Sequence, residues 1–232
     1  MYRYIAASVA GFVQQLAVGY VPNGYYFYVA GEIPAHKDPT KTDRKIIETY
    51  GIDISMWRRM QRKKSGEARL QYLRFGHFFV VLATAGPHPF FKDEAKTIKD
   101  IRESPVRFQG YSISCRRGWG KREFHASVRI DQARYLKMKE HFEEFSLQRT
   151  VEELTAEFLA IPFEPYAPIR NQLFVILRAV NRKRKTAGLE QVPKSAIRTF
   201  RKSRRVFEDN GAEWSEAQRS PVAACDDSLD GR

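Results

Sequence analysis

The sequence predicts an α+β fold, and three observations predict it. In Phe124–Ile130, the residues Phe124, Ala126, Val128 and Ile130 alternate with His125, Ser127 and Arg129, the period of a strand with one covered and one wet face. Residues 131–188 carry three helical segments with their own start and stop signals. Residues 43–64 hold two apolar-periodic helical segments that meet at Tyr50-Gly51-Ile52.

Each element follows from local chemistry. In the opening stretch, Ile5, Val9, Phe12 and Leu16 share one helical face. Gln14 and Gln15 interrupt the apolar run and only one Arg precedes it, so an amphipathic helix is preferred over a signal peptide. Pro22-Asn23-Gly24 marks a turn, and Tyr25-Tyr26-Phe27-Tyr28-Val29 is β-prone. Those four adjacent aromatics read as a strand covered on both sides, with a base-stacking platform as the alternative. Residues 35–42 read as a polar loop around Asp38-Pro39.

Residues 68–83 read as a hairpin with Gly76 at its tip, beside Arg74 and His77. A short helix is expected over 94–101, ending before Pro105. An antiparallel hairpin follows over 106–130, turning at Gly118 and Gly120. Asp131 can cap the first late helix, whose inner face is Tyr135, Met138, Phe142 and Phe145. Thr150 and Glu153 form a capping box for the second. Pro168 suits the first turn of the third and Gly188 its stop.

Composition bounds the function. The chain has 232 residues, 43% hydrophobic and 13% aromatic, enough to bury a core without disulfides or metals. Its net charge is +13, which favours an acidic partner, and nucleic acid is the commonest. Residues 208–232 hold seven acids and two bases, a balance of −5, so residues 1–207 carry +18. The expected organisation is one basic domain over 1–207, with 86–105 as the place where it could divide, and a disordered acidic tail over 208–232. Cys115 and Cys225 have no metal-ligand spacing, which fits a reducing, cytoplasmic setting and no structural metal. No run approaches the ~18 apolar residues of a membrane span, so no membrane partner is expected.

A helix-turn-helix places mechanical requirements on a stretch such as 43–64. With Gly51 at the turn, Ile46 and Tyr50 fall where the first helix must be apolar, Ile52 plugs the corner, and Trp57 and Met60 fall where the second helix must pack. Ile47 departs from the pattern, which prefers a small residue there. Asp53 or Ser55 can cap the second helix. Arg58, Arg59, Arg62 and Lys63 then share an outward arc of about 140°. Followed by the 67–83 hairpin, the segment resembles winged helix-turn-helix DNA-binding domains over about forty residues. The competing reading is a helical corner in a basic scaffold.

Two further basic patches stand out. Arg116, Arg117, Lys121 and Arg122 surround Trp119 at the 106–130 hairpin tip, a pattern for phosphate contact and base stacking or for a surface tip whose Trp folds back. Residues 178–205 carry eleven bases and one acid, including Arg182-Lys183-Arg184-Lys185. The expected nucleic-acid-contacting set is therefore Ser55, Arg58, Arg59, Arg62, Lys63, Arg74, Arg116, Arg117, Trp119, Lys121, Arg122 and Arg182 to Lys185, with DNA favoured over RNA and no cofactor.

Catalytic patterns are thin. Glu94 and Lys96 have a Glu-x-Lys spacing, and Glu123 and His125 share a strand face, yet neither comes with the metal-binding or nucleophilic partners that cleavage needs. The expectation is a non-enzymatic DNA binder. A nucleic-acid-cleaving or strand-transferring enzyme of a mobile element is the alternative, and a single-strand or RNA binder the second.

Overall fold

A computed structural model describes residues 2–118 and 124–207. The protein is α+β: seven α-helices and two antiparallel sheets among the described residues. Ser8 sets the first helix, because its side chain accepts from the Gly11 N–H at 3.0 Å. Helix α1 (Val9–Gln14) continues through a π turn over Gln15–Tyr20 and a 3-10 turn over Val21–Asn23. Ile5 precedes that cap and bridges to Arg74 instead, a correction to the expected helical face. Phe12 and Leu16 are fully buried.

The first sheet contains β1 (Phe27–Glu32), β2 (Leu70–Phe75), β3 (Phe78–Ala83) and β4 (Lys99–Asp100), in the order β2-β3-β1-β4. Gly76, at φ +57°, makes the tight turn between β2 and β3. This hairpin is no projecting wing. Strand β3 pairs with β2 on one side and β1 on the other, and Val80 to Ala83 are buried.

Helix α2 (Pro39–Thr49) starts four residues before Asp43, inside the stretch expected as a loop. Asp38 accepts from the Thr40 N–H and Pro39 occupies the first helical position, where its missing N–H costs nothing. Helix α3 (Met56–Lys64) follows Gly51, whose φ is +53°. The helix expected over 94–101 is displaced. His88 caps α4 (Pro89–Asp93), Thr97 bonds back to Glu94, and Lys99–Asp100 is recruited as β4 by β1.

The second sheet runs β5 (Val106–Phe108), β6 (Tyr111–Arg117) and β7 (Phe124–Ile130). Helices α5 (Gln132–Glu144), α6 (Val151–Leu159) and α7 (Ala167–Thr186) follow, with Asp131 capping α5 and the Thr150–Glu153 box opening α6.

The larger core joins α1, both sheets and α5 to α7, with Phe12, Leu82, Ile113, Val128, Phe158 and Ile176 buried in it. Phe142 stacks on Phe158 with ring centres 4.1 Å apart. A smaller core of Ile52, Leu70, Tyr72, Val81 and Phe90 covers the other face of the first sheet. Ile46 and Ile47 of α2 and its C-cap Tyr50 pack on it.

The N-terminal segment is held on both sides. The Arg74 N–H donates to the Tyr4 carbonyl and the Ala6 N–H to the Arg74 carbonyl, each at 2.8 Å. The Ala7 N–H donates to the Val206 carbonyl at 2.9 Å, and Ala6 bridges Phe207. No helix among the described residues is long and apolar enough to cross a membrane.

Candidate nucleic-acid interface

Helix α3 carries five of the chain's bases in nine residues, and the structure turns it about half a revolution from the expected orientation. Trp57 and Met60 were to pack inward, yet they are 65% and 55% exposed, and Met56 is 80% exposed. No side chain of α3 is buried. The inner face belongs to two arginines. Arg62 donates to the Gly51 carbonyl at 3.3 Å and pairs with Glu67 at 3.8 Å. Arg59 places its guanidinium 5.6 Å from the Tyr2 ring centre.

The physical reason is what the body offers that face. Gly51 presents a carbonyl and Glu67 a carboxylate, and both suit guanidinium donors better than an indole. The corner residues Ile46, Tyr50 and Ile52 do pack as the motif requires. The second-helix packing that defines a reading helix is missing. Ser55, expected at the interface, uses its Oγ to cap α3 through the Arg58 N–H at 3.3 Å. Arg58, Lys63 and Lys64 are exposed, and no ion pair or side-chain hydrogen bond engages their side chains among the described residues.

At the N-terminal end of α3 lies a cleft of about 520 Å³, lined by Tyr2, Tyr20, Gln71, Ser55, Arg59 and Phe207 among others. Burial pushes the Tyr20 hydroxyl up to about 12.

Arg74 is not at a tip. Its side chain is turned inward onto Asp43, which is fully buried, and its Nη1 donates to the Gly76 carbonyl at 2.7 Å. Arg74 therefore leaves the interface set. The pairing with a buried carboxylate outcompetes exposure, because a lone Asp43 in that position would be uncompensated.

Arg116 and Arg117 end β6 and are exposed, with the Arg117 guanidinium 4.8 Å from the Phe124 ring centre. Trp119, Lys121 and Arg122, and Glu123 with them, lie outside the described residues.

The run 182–185 divides three ways. Arg184 is 4% exposed and donates to the carbonyls of Glu190, Ser146 and Arg149, at 2.5, 2.8 and 2.8 Å. It leaves the set as a structural clamp. Its inward turn continues the buried period of Leu173, Leu177 and Val180 along α7, a signal that was present in the sequence. Lys183 is drawn to α5, where it donates to the Glu143 carbonyl at 3.0 Å. Arg182 and Lys185 face outward into a groove of about 890 Å³.

That groove lies between α7 and residues 191–194. Arg178, Arg182, Lys185 and Lys194 line it, together with Asn171, Phe174, Val175 and Gln191, and no carboxylate does. No ion pair or side-chain hydrogen bond engages its four cations among the described residues. Arg178 and Lys194 were in the basic segment 178–205 but not in the expected contact set. They join Arg182 and Lys185 because positions 178, 182 and 185 recur on the outward face of one helix.

Of the catalytic candidates, Glu123 lies outside the described residues and Glu94 is described. Glu94 accepts from the Tyr50 hydroxyl at 2.9 Å and from Thr97, so its carboxylate is occupied in tying α2 to the turn after α4. His141 contacts Glu157, which also receives Arg149, joining α5 to α6. No protein-family model, curated protein or solved structure matches the chain.

Proposed function

We propose that the protein binds DNA through its phosphate backbone, and that the groove along α7 is the principal contact. The observation that carries this is four cations in one groove with no ion pair and no lining carboxylate among the described residues. Unpaired guanidinium and ammonium groups gathered on one surface repel each other, and phosphate is the partner that removes the repulsion and releases counterions. Arg178, Arg182 and Lys185 span about 10 Å along α7, long enough to follow a backbone rather than hold one anion. Asn171 and Gln191 add donors, and Val175 with Phe174 adds an apolar floor.

Electrophoretic or fluorescence titration with duplex DNA across a salt series tests the reading. Arg178→Ala with Arg182→Ala is expected to weaken binding and to lower the salt slope by about 2. Unchanged affinity and slope would remove the groove from the interface. Single-stranded DNA and RNA competitors in the same series decide between nucleic-acid classes.

A further inference from the structure

The outer face of α3 is an apolar patch that no described residue covers. On a helical wheel Met56, Met60 and Trp57 cover about 100° of arc, with Lys64 among them, Lys63 on one border and Gln61 on the other. A Trp and two Met left in water on a nine-residue helix are unusual for a surface whose other side is anchored. Such a face wants an occupant that is both apolar and acidic.

We propose that residues 208–232 of the same chain dock on this face. Phe207, the last described residue, lines the cleft at the N-terminal end of α3 together with Ser55, Met56 and Arg59. The chain beyond Phe207 is therefore tethered at the N-terminal end of α3. Residues 208–216 carry Glu208, Asp209, Glu213 and Glu216 around Trp214, with no base. Trp214 is seven residues beyond Phe207, a reach of about 23 Å when extended. Helix α3 is only about 13 Å long, so Trp214 can reach any point on it.

Trp214 meets Trp57 and the two Met side chains, where sulfur–aromatic contact adds to burial. The carboxylates meet Lys63 and Lys64, which lie beside and within the apolar arc. The α7 groove is the competing basic surface in this chain. It offers Val175 and Phe174 rather than a Trp and two Met, and Phe207 does not line it. The contact is independent of nucleic acid.

Cys225 lies within the segment, whereas Cys115 is buried in β6. A maleimide nitroxide on Cys225 of the full chain therefore reports the position of the segment through relaxation of backbone amides. At low salt, the amides of residues 56–64 are expected to broaden selectively. The broadening should fade toward 1 M salt, as the screening length falls to about 3 Å. Trp57→Ala with Lys64→Glu, and separately Trp214→Ala, should each abolish most of it. Absence of broadening over 56–64, or broadening along Arg178 to Lys194 instead, would overturn the proposal. So would broadening that passes between chains in a mixture of spin-labelled and isotope-labelled protein, which would assign the face to a second copy.

Discussion

The guanidinium of Arg74 sits with its Nε 2.9 Å from both carboxylate oxygens of Asp43, and the Tyr72 hydroxyl donates to the same carboxylate at 2.6 Å. These three side chains join α2 to β2. Burial pushes the Asp43 carboxyl above its usual range, while Tyr72 and Arg74 pull it down. Removing one partner leaves the other buried without compensation. Arg74→Met is expected to cost about 3–5 kcal/mol in urea unfolding. The triple change Asp43→Leu, Tyr72→Phe and Arg74→Met should cost less than Arg74→Met alone, because no charge remains to be desolvated.

Arg182 and Arg184 are two residues apart and should behave as opposites. Arg184→Ala strands three carbonyl acceptors and is expected to cost about 3 kcal/mol of stability. Arg182→Ala should leave stability within about 0.5 kcal/mol and lower the DNA salt slope by about 1. Denaturation and salt titration of the two variants side by side read both effects.

His88 makes the cap of α4 sensitive to acid. Its Nδ1 accepts the Phe90 N–H at 3.2 Å, which requires a neutral ring. Burial first, and then the nearby Arg62 charge, lower its pKa below the ordinary value of 6.5. A lowered histidine pKa means that the fold favours the neutral form. The stabilisation is therefore complete above pH 6.5 and is lost as the pH falls through the folded value. His88→Asn keeps a cap acceptor that does not titrate. The fall in melting temperature between about pH 7.5 and about pH 5 should be smaller in that variant. Equal falls would show that the cap plays no part.

Gly86 holds φ +136°, and a Cβ there would meet the Gly66 carbonyl and come within 2.6 Å of the Ala68 nitrogen. Both obstacles are backbone and cannot swing away. Gly86→Ala should lose at least about 1–3 kcal/mol, measured by chemical unfolding. Gly24→Ala has nothing within 4 Å and should lose only the cost of its positive φ.

Much of the architecture was legible because it is written in local chemistry. The Phe124–Ile130 alternation, the Asp131 cap and the Thr150–Glu153 box act within a few residues, and each appears where expected. The face that α3 presents was not legible. Wheel geometry divides that helix correctly into two sides, but the choice between them depends on Gly51, Glu67 and Tyr2, which only the fold assembles. Asp43 was hidden for a related reason. An acid near a helix start reads as ordinary solvated surface, and its burial depends on Arg74, 31 positions later. Arg184 could have been found by extending the buried period of α7 one step further.

The pairing of Ala6 and Ala7 with Val206 and Phe207 bears on how the molecule is made. Residues 2–7 are held on one side by β2, and residues 206 and 207, roughly two hundred positions later, fill the other. On a ribosome, which releases the chain in N- to C-terminal order, residues 2–7 emerge well before the residues that complete their pairing. This sequence separation raises the contact order of the closing step, and residues 6 and 7 remain without one partner until residues 206 and 207 have emerged.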